Sequence, residues 1–260
     1  MGQVIMIASG KGGTGKTTAA ANLGAALSAK GKLTVLVDMD MGLRNLDVAL
    51  GLESSVVYDF MDYLEGRCTI DEILLKADGY ENLYFIASPQ TRAVGDVDKE
   101  KLEEFWDILR NRFEFCIADS PAGISGGFTY IENAADTVII VTLAETAAMR
   151  DADRVISLLG EKEDIRLIMN RVRPELIEKK LMMNMDECMD MLSVSILGIV
   201  PEDESLLVSA FKGSPAVNDL QSTAGKAFTN IAARLCGEDI PIMEFRKKGF
   251  FEKLKELFEK

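Results

Sequence analysis

The chain is 260 residues long and 48% apolar, with a formal charge of -13 and no histidine. Length and apolar content sustain one sizeable domain with its own core and exclude long disorder; the acidity disfavours a fold-wide DNA-binding surface and leaves only a local basic patch open. The lack of histidine excludes histidine bases, Ser-His-Asp triads and histidine-ligated metals, and Cys68, Cys116, Cys188 and Cys236 form no C-x-x-C pair, reading as reduced structural thiols of a cytoplasmic protein.

The first apolar run, 4–8, is strand-sized and has no basic segment ahead of it, so it is not read as a signal peptide. Met6 stands where a myristoylation signal needs Ser or Thr. No run approaches the roughly 20 residues of a spanning helix, so any membrane contact is expected to be peripheral. Six further runs, 34–38, 83–87, 115–119, 137–141, 165–169 and 196–200, are almost continuously apolar, as strands covered on both faces are. Helical patterns lie between most of them, for instance 17–30, 99–112 and 148–159. This alternation predicts an α/β fold with a doubly wound, mostly parallel sheet. Ligands on such sheets bind at the carboxyl ends of the strands. One domain is expected over 1–237, a connector containing Pro241 over 238–244, and a separate tail over 245–260.

The first strand runs into Gly10-Lys11-Gly12-Gly13-Thr14-Gly15-Lys16-Thr17-Thr18. This fits G-x-x-x-x-G-K-[ST] in the strand–loop–helix setting that a phosphate loop needs. Glycines permit positive φ and let backbone N–H groups surround a phosphate, and the following helix points its positive end at the anion. Lys16 is expected at the β- and γ-phosphates and the Thr17 hydroxyl on Mg²⁺. Thr18 has no role beyond the first turn of the helix. Lys11, judged as a residue alone, serves equally well as a solvated surface lysine.

The second run ends in Asp38-Met39-Asp40, followed by Met41 to Asp47. Two aspartates two apart on an extended segment point the same way. Beside the phosphate loop they can support a hydrated metal and orient an attacking water. Asp47 reads better as a cap or turn residue. The run 115–119 ends in Asp119, an apolar strand closing on a metal-binding aspartate. Gly123, Gly126 and Gly127 after it suit a loop that senses a γ-phosphate.

The tail, 245–260, carries six basic and three acidic residues, leaving the remainder of the chain at -16. On a helix, Phe250, Phe251, Leu254, Leu257 and Phe258 fall within an arc of roughly 120°. Lys253 and Lys255 flank that arc, and Glu252, Glu256 and Glu259 lie opposite. Flanking lysines reach anionic headgroups while the apolar stripe enters the lipid boundary. The same stripe also suits docking on the domain or on a partner; the lysine placement favours the membrane. The burial gain and the ordering cost of one such helix are of similar size, so a single tail is a weak anchor and two on a dimer a firm one.

Taken together, 10–18 with its second lysine, the run Gly42-Leu43-Arg44-Asn45-Leu46-Asp47, 119–124, Arg150-Asp151-Ala152-Asp153-Arg154, Asn170-Arg171, Pro201-Glu202-Asp203 and Gly213-Ser214-Pro215 resemble the MinD/ParA family of deviant Walker A ATPases, and within it the MinD branch. The resemblance spans about 2–236 and continues in the tail. It implies a P-loop ATPase using ATP and Mg²⁺. Lys11 would reach the partner's phosphates across an ATP-dependent homodimer. Asp40 would position the hydrolytic water, and Asp38 would support the metal's shell with Thr17 and Asp119. Asn170, Arg171, Pro201, Glu202 and Asp203 would lie around the adenine. It also implies attachment to the anionic inner face of the cell membrane through Phe250 to Phe258. The implied partners are a MinC-like septum inhibitor and a topological regulator, MinE-like or a polar scaffold. The segment 143–148 lacks the proline frequent there in the family, and Ser125-Gly126-Gly127 differs in detail. A DNA-binding partition ATPase, a non-hydrolysing adaptor and an iron–sulfur carrier are the competing readings. The acidic body, the intact Lys16, Thr17, Asp40 and Asp119, and the cysteine spacing weigh against them in turn.

Overall fold

The computed structural model describes residues 1–41, 43–90, 97–123, 126–160, 162 and 164–242. Gly42, Ile124 and Ser125 lie outside the described residues. So does the whole tail, with Phe250, Phe251, Lys253, Leu254, Lys255, Leu257 and Phe258.

Eight strands form one sheet: β1 Gln3–Ala8, β2 Thr34–Asp38, β3 Leu75–Lys76, β4 Leu83–Ile86, β5 Phe115–Asp119, β6 Thr137–Leu143, β7 Ile165–Val172 and β8 Ser195–Pro201. Their spatial order is β3-β4-β2-β5-β1-β6-β7-β8. Every pairing is parallel except that of β3 with β4. All seven expected strands are present, most with ends shifted by a residue or more. β3 went unpredicted because a two-residue edge strand leaves no periodic signal. Ala87, expected in a strand, falls just past β4, where its carbonyl accepts the Phe60 amide at 2.9 Å.

The helices are α1 Lys16–Ala29, α2 Leu46–Leu50, α3 Phe60–Leu64, α4 Ile70–Ile73, α5 Lys99–Arg112, α6 Thr129–Glu132, α7 Thr146–Leu158, α8 Pro174–Glu178, α9 Met185–Leu192, α10 Ser205–Lys212 and α11 Thr223–Leu235. Local chemistry sets several of their ends. The Asp98 side chain caps α5 by accepting the Glu100 amide at 3.0 Å. Asn184 and Glu187 exchange backbone and side-chain bonds in a capping box at the start of α9, each 2.9 Å. After α11, 238–242 continue without helix or strand.

Because strand side chains alternate, the sheet feeds two core layers. Val4, Met6 and Ala8 of β1 join Val35, Val37, Phe105 and Trp106 on one face. Ile5 and Ile7 join Leu36, Leu23 of α1 and Phe228 of α11 on the other. With both faces covered, the strands are mostly apolar, the polar exceptions including Thr142 of β6 and Arg166 and Asn170 of β7.

Candidate functional site

The central strands β2, β5 and β1 end side by side. Asp38 lies opposite Asp119 in the β2–β5 register, and Ile7 opposite Asp119 in the β1–β5 register. The loop leaving β1 therefore turns directly over both carboxyls.

In that loop Gly13 and Gly15 have φ of +79° and +99°, left-handed values that a side chain opposes. Gly15 is also the N-cap of α1 and offers no side chain to the first-turn amides. A Cβ on Gly10 would run into the backbone of Asp151 in α7, and one on Gly15 into the Asn170 amide. The glycines are thus needed for conformation at two positions and for close approach at two, while Gly12 faces open space. Thr14 is buried and its Oγ1 has no hydrogen-bond partner among the described residues. Lys16 is 7% exposed, and its Nζ donates to Ser9 Oγ at 2.9 Å. The Ser9 hydroxyl in turn donates to the Lys11 carbonyl at 2.8 Å. Burial lowers the Lys16 pKa, and the charges of Asp119 and Asp40 pull it back up. Lys11, Thr17 and Thr18 are partly exposed around the mouth of the loop.

The carboxyls are unequal. Asp38 is fully buried; its Oδ1 accepts the Asp40 amide at 2.9 Å and its Oδ2 the Leu46 amide at 3.2 Å. Asp119 is 1% exposed and its Oδ1 has no hydrogen-bond partner. Burial raises both pKa values; the neighbouring Asp119 adds to the rise at Asp38, while the Thr17 hydroxyl and Lys16 oppose it at Asp119. Asp40 is half-buried, raised by burial and lowered by Lys16. One buried ammonium thus faces three carboxyls, one of them holding an unpartnered buried oxygen. Ionised together, these carboxyls would leave negative charge uncompensated by Lys16 alone, a charge that a divalent cation would balance. No three His, Cys, Asp or Glu cluster as a metal cage among the described residues. Mg²⁺ takes one or two carboxylates and fills its shell with water and phosphate oxygens, a demand that Asp119 with the Thr17 hydroxyl beside it fits.

The next strand ends bring up the second group. Asn170, 2% exposed at the end of β7, donates from Nδ2 to the Thr14 carbonyl at 2.7 Å, and its Oδ1 has no partner. Arg171 has φ of +52° where the β7–β8 register shifts, and its side chain is exposed. Pro201 closes β8 opposite Val172, whose carbonyl accepts the Glu202 amide at 3.0 Å; Glu202 pairs with Arg173 at 3.1 Å. Asp203 is committed elsewhere. Its Oδ1 accepts the Ser205 amide at 2.9 Å, and its Oδ2 accepts Ser222 Oγ, Thr223 Oγ1 and the Ala224 amide at 3.1, 2.8 and 2.9 Å. Although some burial opposes it, these donors hold the carboxyl well below its ordinary pKa.

The fold thus gathers Lys16, Asp38, Asp40 and Asp119 at one spot, with Lys11, Thr17 and Asn170 around it and Arg171, Glu202 and Asp203 on the neighbouring strand ends. Sequence reasoning missed Ser9 and the Asp151 backbone. Ser9 had a signal in its place directly before the loop; Asp151 had none, because a backbone contact leaves no mark on residue type. Asp47 lies in the first turn of α2, its Oδ2 paired with Arg44 Nε at 2.5 Å and its Oδ1 accepting the Val48 amide at 2.8 Å, as a turn residue would.

The match with known proteins agrees with this geometry. Residues 5–216 match the CobQ/CobB/MinD/ParA nucleotide binding domain. The septum site-determining protein MinD of Synechocystis sp. is 45% identical over 249 residues, covering 94% of this chain and 93% of that protein. The Bacillus subtilis MinD is 42% identical, covering 99% and 98%. The MinC:MinD cell division protein complex of Aquifex aeolicus superposes with a TM-score of 0.87 at 38% identity, covering 94% of this chain and 100% of that one. MinD of Pyrococcus horikoshii complexed with Mg-ADP gives 0.80 at 28% identity, covering 92% and 100%. With a phosphate loop over paired buried aspartates and these likenesses along nearly its whole length, the chain belongs to the CobQ/CobB/MinD/ParA nucleotide-binding family, in its MinD branch of septum-site-determining ATPases.

Proposed function

We propose that the chain is a switch: ATP binding drives dimerisation, dimerisation drives attachment to the inner face of the cell membrane and recruitment of a septum inhibitor, and hydrolysis releases it. The observation that carries this reading is the unpartnered Asp119 Oδ1 beside a buried Lys16, directly under an uncapped helix start. Mg²⁺ would compensate the buried carboxyls, and a nucleotide phosphate would meet the free amides at the helix start.

Residues 10–18 would wrap the phosphates, and Lys16 would balance their charge. Thr17 and Asp119 would hold Mg²⁺, with Asp38 behind them; once bound, the ion neutralises charge on the phosphate oxygens. Asp40 orients the attacking water, its half-buried carboxyl kept near Lys16. Lys11 lies at the mouth of the loop, free to extend to a partner's nucleotide. Asn170 pins the loop through Thr14 and leaves Oδ1 for a base amine. Since the Asp203 side chain is spent on helix caps, its part beside the base falls to the backbone of 201–203.

The solved MinC:MinD complex of a relative supports a MinC-like partner, and a MinE-like or polar scaffold regulator follows by the same family reasoning. No helix among the described residues is long and apolar enough to cross a membrane; the proposed attachment is through the amphipathic pattern of 245–260. The deciding experiment is sedimentation with anionic liposomes under ATP, ADP or no nucleotide, beside a chain ending at Gly249. ATP-dependent pelleting that truncation abolishes is expected. Pelleting that ignores nucleotide, or survives truncation, would sink the switch.

A further inference from the structure

A groove of about 920 Å³ opens between the β6–α7 junction and the α8–α9 segment. Ile177, Leu181, Met182, Met183 and Met191 line it, with Leu181 72% exposed. Its charged lining is Glu145, Glu178, Glu187 and Asp190 against Lys180 alone. The walls are fixed in advance. The Met183 amide donates to the Ala144 carbonyl at 3.1 Å, and the Asn184–Glu187 capping box holds the start of α9. An apolar floor of pliable thioethers inside an acidic rim suits a basic amphipathic helix, since methionine adapts to irregular surfaces and contacts aromatic rings favourably.

Such a helix is expected in this chain, and the described chain ends on the face of the sheet that α9 covers. The Arg234 guanidinium donates to the Leu197 carbonyl of β8 at 2.9 Å and to the Ile240 and Pro241 carbonyls at 2.7 and 2.6 Å. The last residues are thereby tied to the strand that directly follows α9. Ile242 packs on the core layer that contains Cys188 and Leu192 of α9, on the groove's side of the sheet. From Ile242 to Phe250 an extended chain spans about 26 Å, a reach comparable to the length of a whole strand and its flanking turn, so the stripe of Phe250, Phe251, Leu254, Leu257 and Phe258 is not confined to the point where the described chain ends.

We infer that the tail, 245–260, docks in this groove of its own chain and is thereby withheld from the membrane. The inference rests on the tail being the membrane anchor proposed above. Opposite charges and the high effective concentration of a tethered segment favour the docked state, and a tail engaged there cannot present its apolar stripe to lipid. The groove's rim at Glu145 and Thr146 opens α7, whose Asp151 backbone abuts Gly10 of the phosphate loop. Groove and nucleotide site therefore share one helix through which each can bias the other.

The test is amide hydrogen exchange on the nucleotide-free full chain beside a chain ending at Ile242. Amides of α8, α9 and the segment between them should exchange several-fold faster without the tail, at any protein concentration. Unchanged exchange would overturn the inference, as would protection that grows with concentration, which would assign the groove to a second copy's tail. A paired variant, Glu178→Lys with Asp190→Lys, should lose the same protection and pellet several-fold more with anionic liposomes in the absence of nucleotide. Leu181→Ser, at an exposed position that leaves the core intact, should do likewise. If the unaltered chain fails to pellet even with ATP, the anchor reading fails while the exchange comparison still decides whether the tail is docked.

Discussion

Replacing Asp119 by Asn should stabilise the nucleotide-free protein while removing its response to Mg²⁺. At pH 8 the unfolded chain holds this carboxylate ionised in water. The folded chain must either bear the charge at a position 1% exposed or take up a proton there, and both are costly. Its Oδ1 has no partner, and an unsatisfied buried acceptor costs about 1–3 kcal/mol, more when charged. Lys16 and the Thr17 hydroxyl offset part of this. A neutral isostere should therefore gain about 2 kcal/mol, or about 4–8 °C in Tm for a domain of this size. The assay is thermal unfolding by circular dichroism at pH 8 in chelator, then with Mg²⁺ and ADP. The wild type should start lower and rise with the ligand, since binding to the folded state alone stabilises it; the variant should start higher and rise less. A variant that melts below the wild type in chelator would refute the reasoning, because it would mean that the carboxylate is fully compensated within the protein.

Two other outcomes follow from the same geometry. Gly15→Ala places a side chain at φ of +99° and against the Asn170 amide that holds the Thr14 carbonyl. The strain and the lost buried bond together suggest about 2–4 kcal/mol, which should weaken binding of a fluorescent ATP analogue by more than tenfold. Asp203→Ala removes acceptors from the starts of α10 and α11 and should cost about 2–3 kcal/mol in urea unfolding at pH 7. Because the folded-state pKa of Asp203 is depressed, its contribution is present above the ordinary carboxylate range and is lost as the pH falls below it. The gap between wild type and variant should narrow from pH 7 toward pH 3, and a gap independent of pH would contradict the charge-based cap.

The sequence by itself determined the chemistry at the strand ends. Each central strand is short, apolar and closed by a residue of definite purpose: the glycine loop after β1, Asp38 after β2, Asp119 after β5. A parallel sheet with both faces covered permits little else of such runs, and a phosphate-binding turn needs glycine where φ is positive, so these positions leave a mark on residue type. Tertiary structure alone decided which strands are neighbours, and hence that Asp38 and Asp119 share one pocket with Lys16. It also placed the Asp203 side chain on the starts of two helices and the Asn170 amide on the Thr14 carbonyl, bonds that the residue types alone did not announce. The acidic groove beside α9 was equally illegible, because its lining comes from segments whose order in the chain says nothing of their proximity. Residue type is constrained where a side chain or its absence is itself the requirement. Contacts that arise when distant backbone and side chains meet, such as Asp151 against Gly10, are set by packing and leave no pattern along the chain.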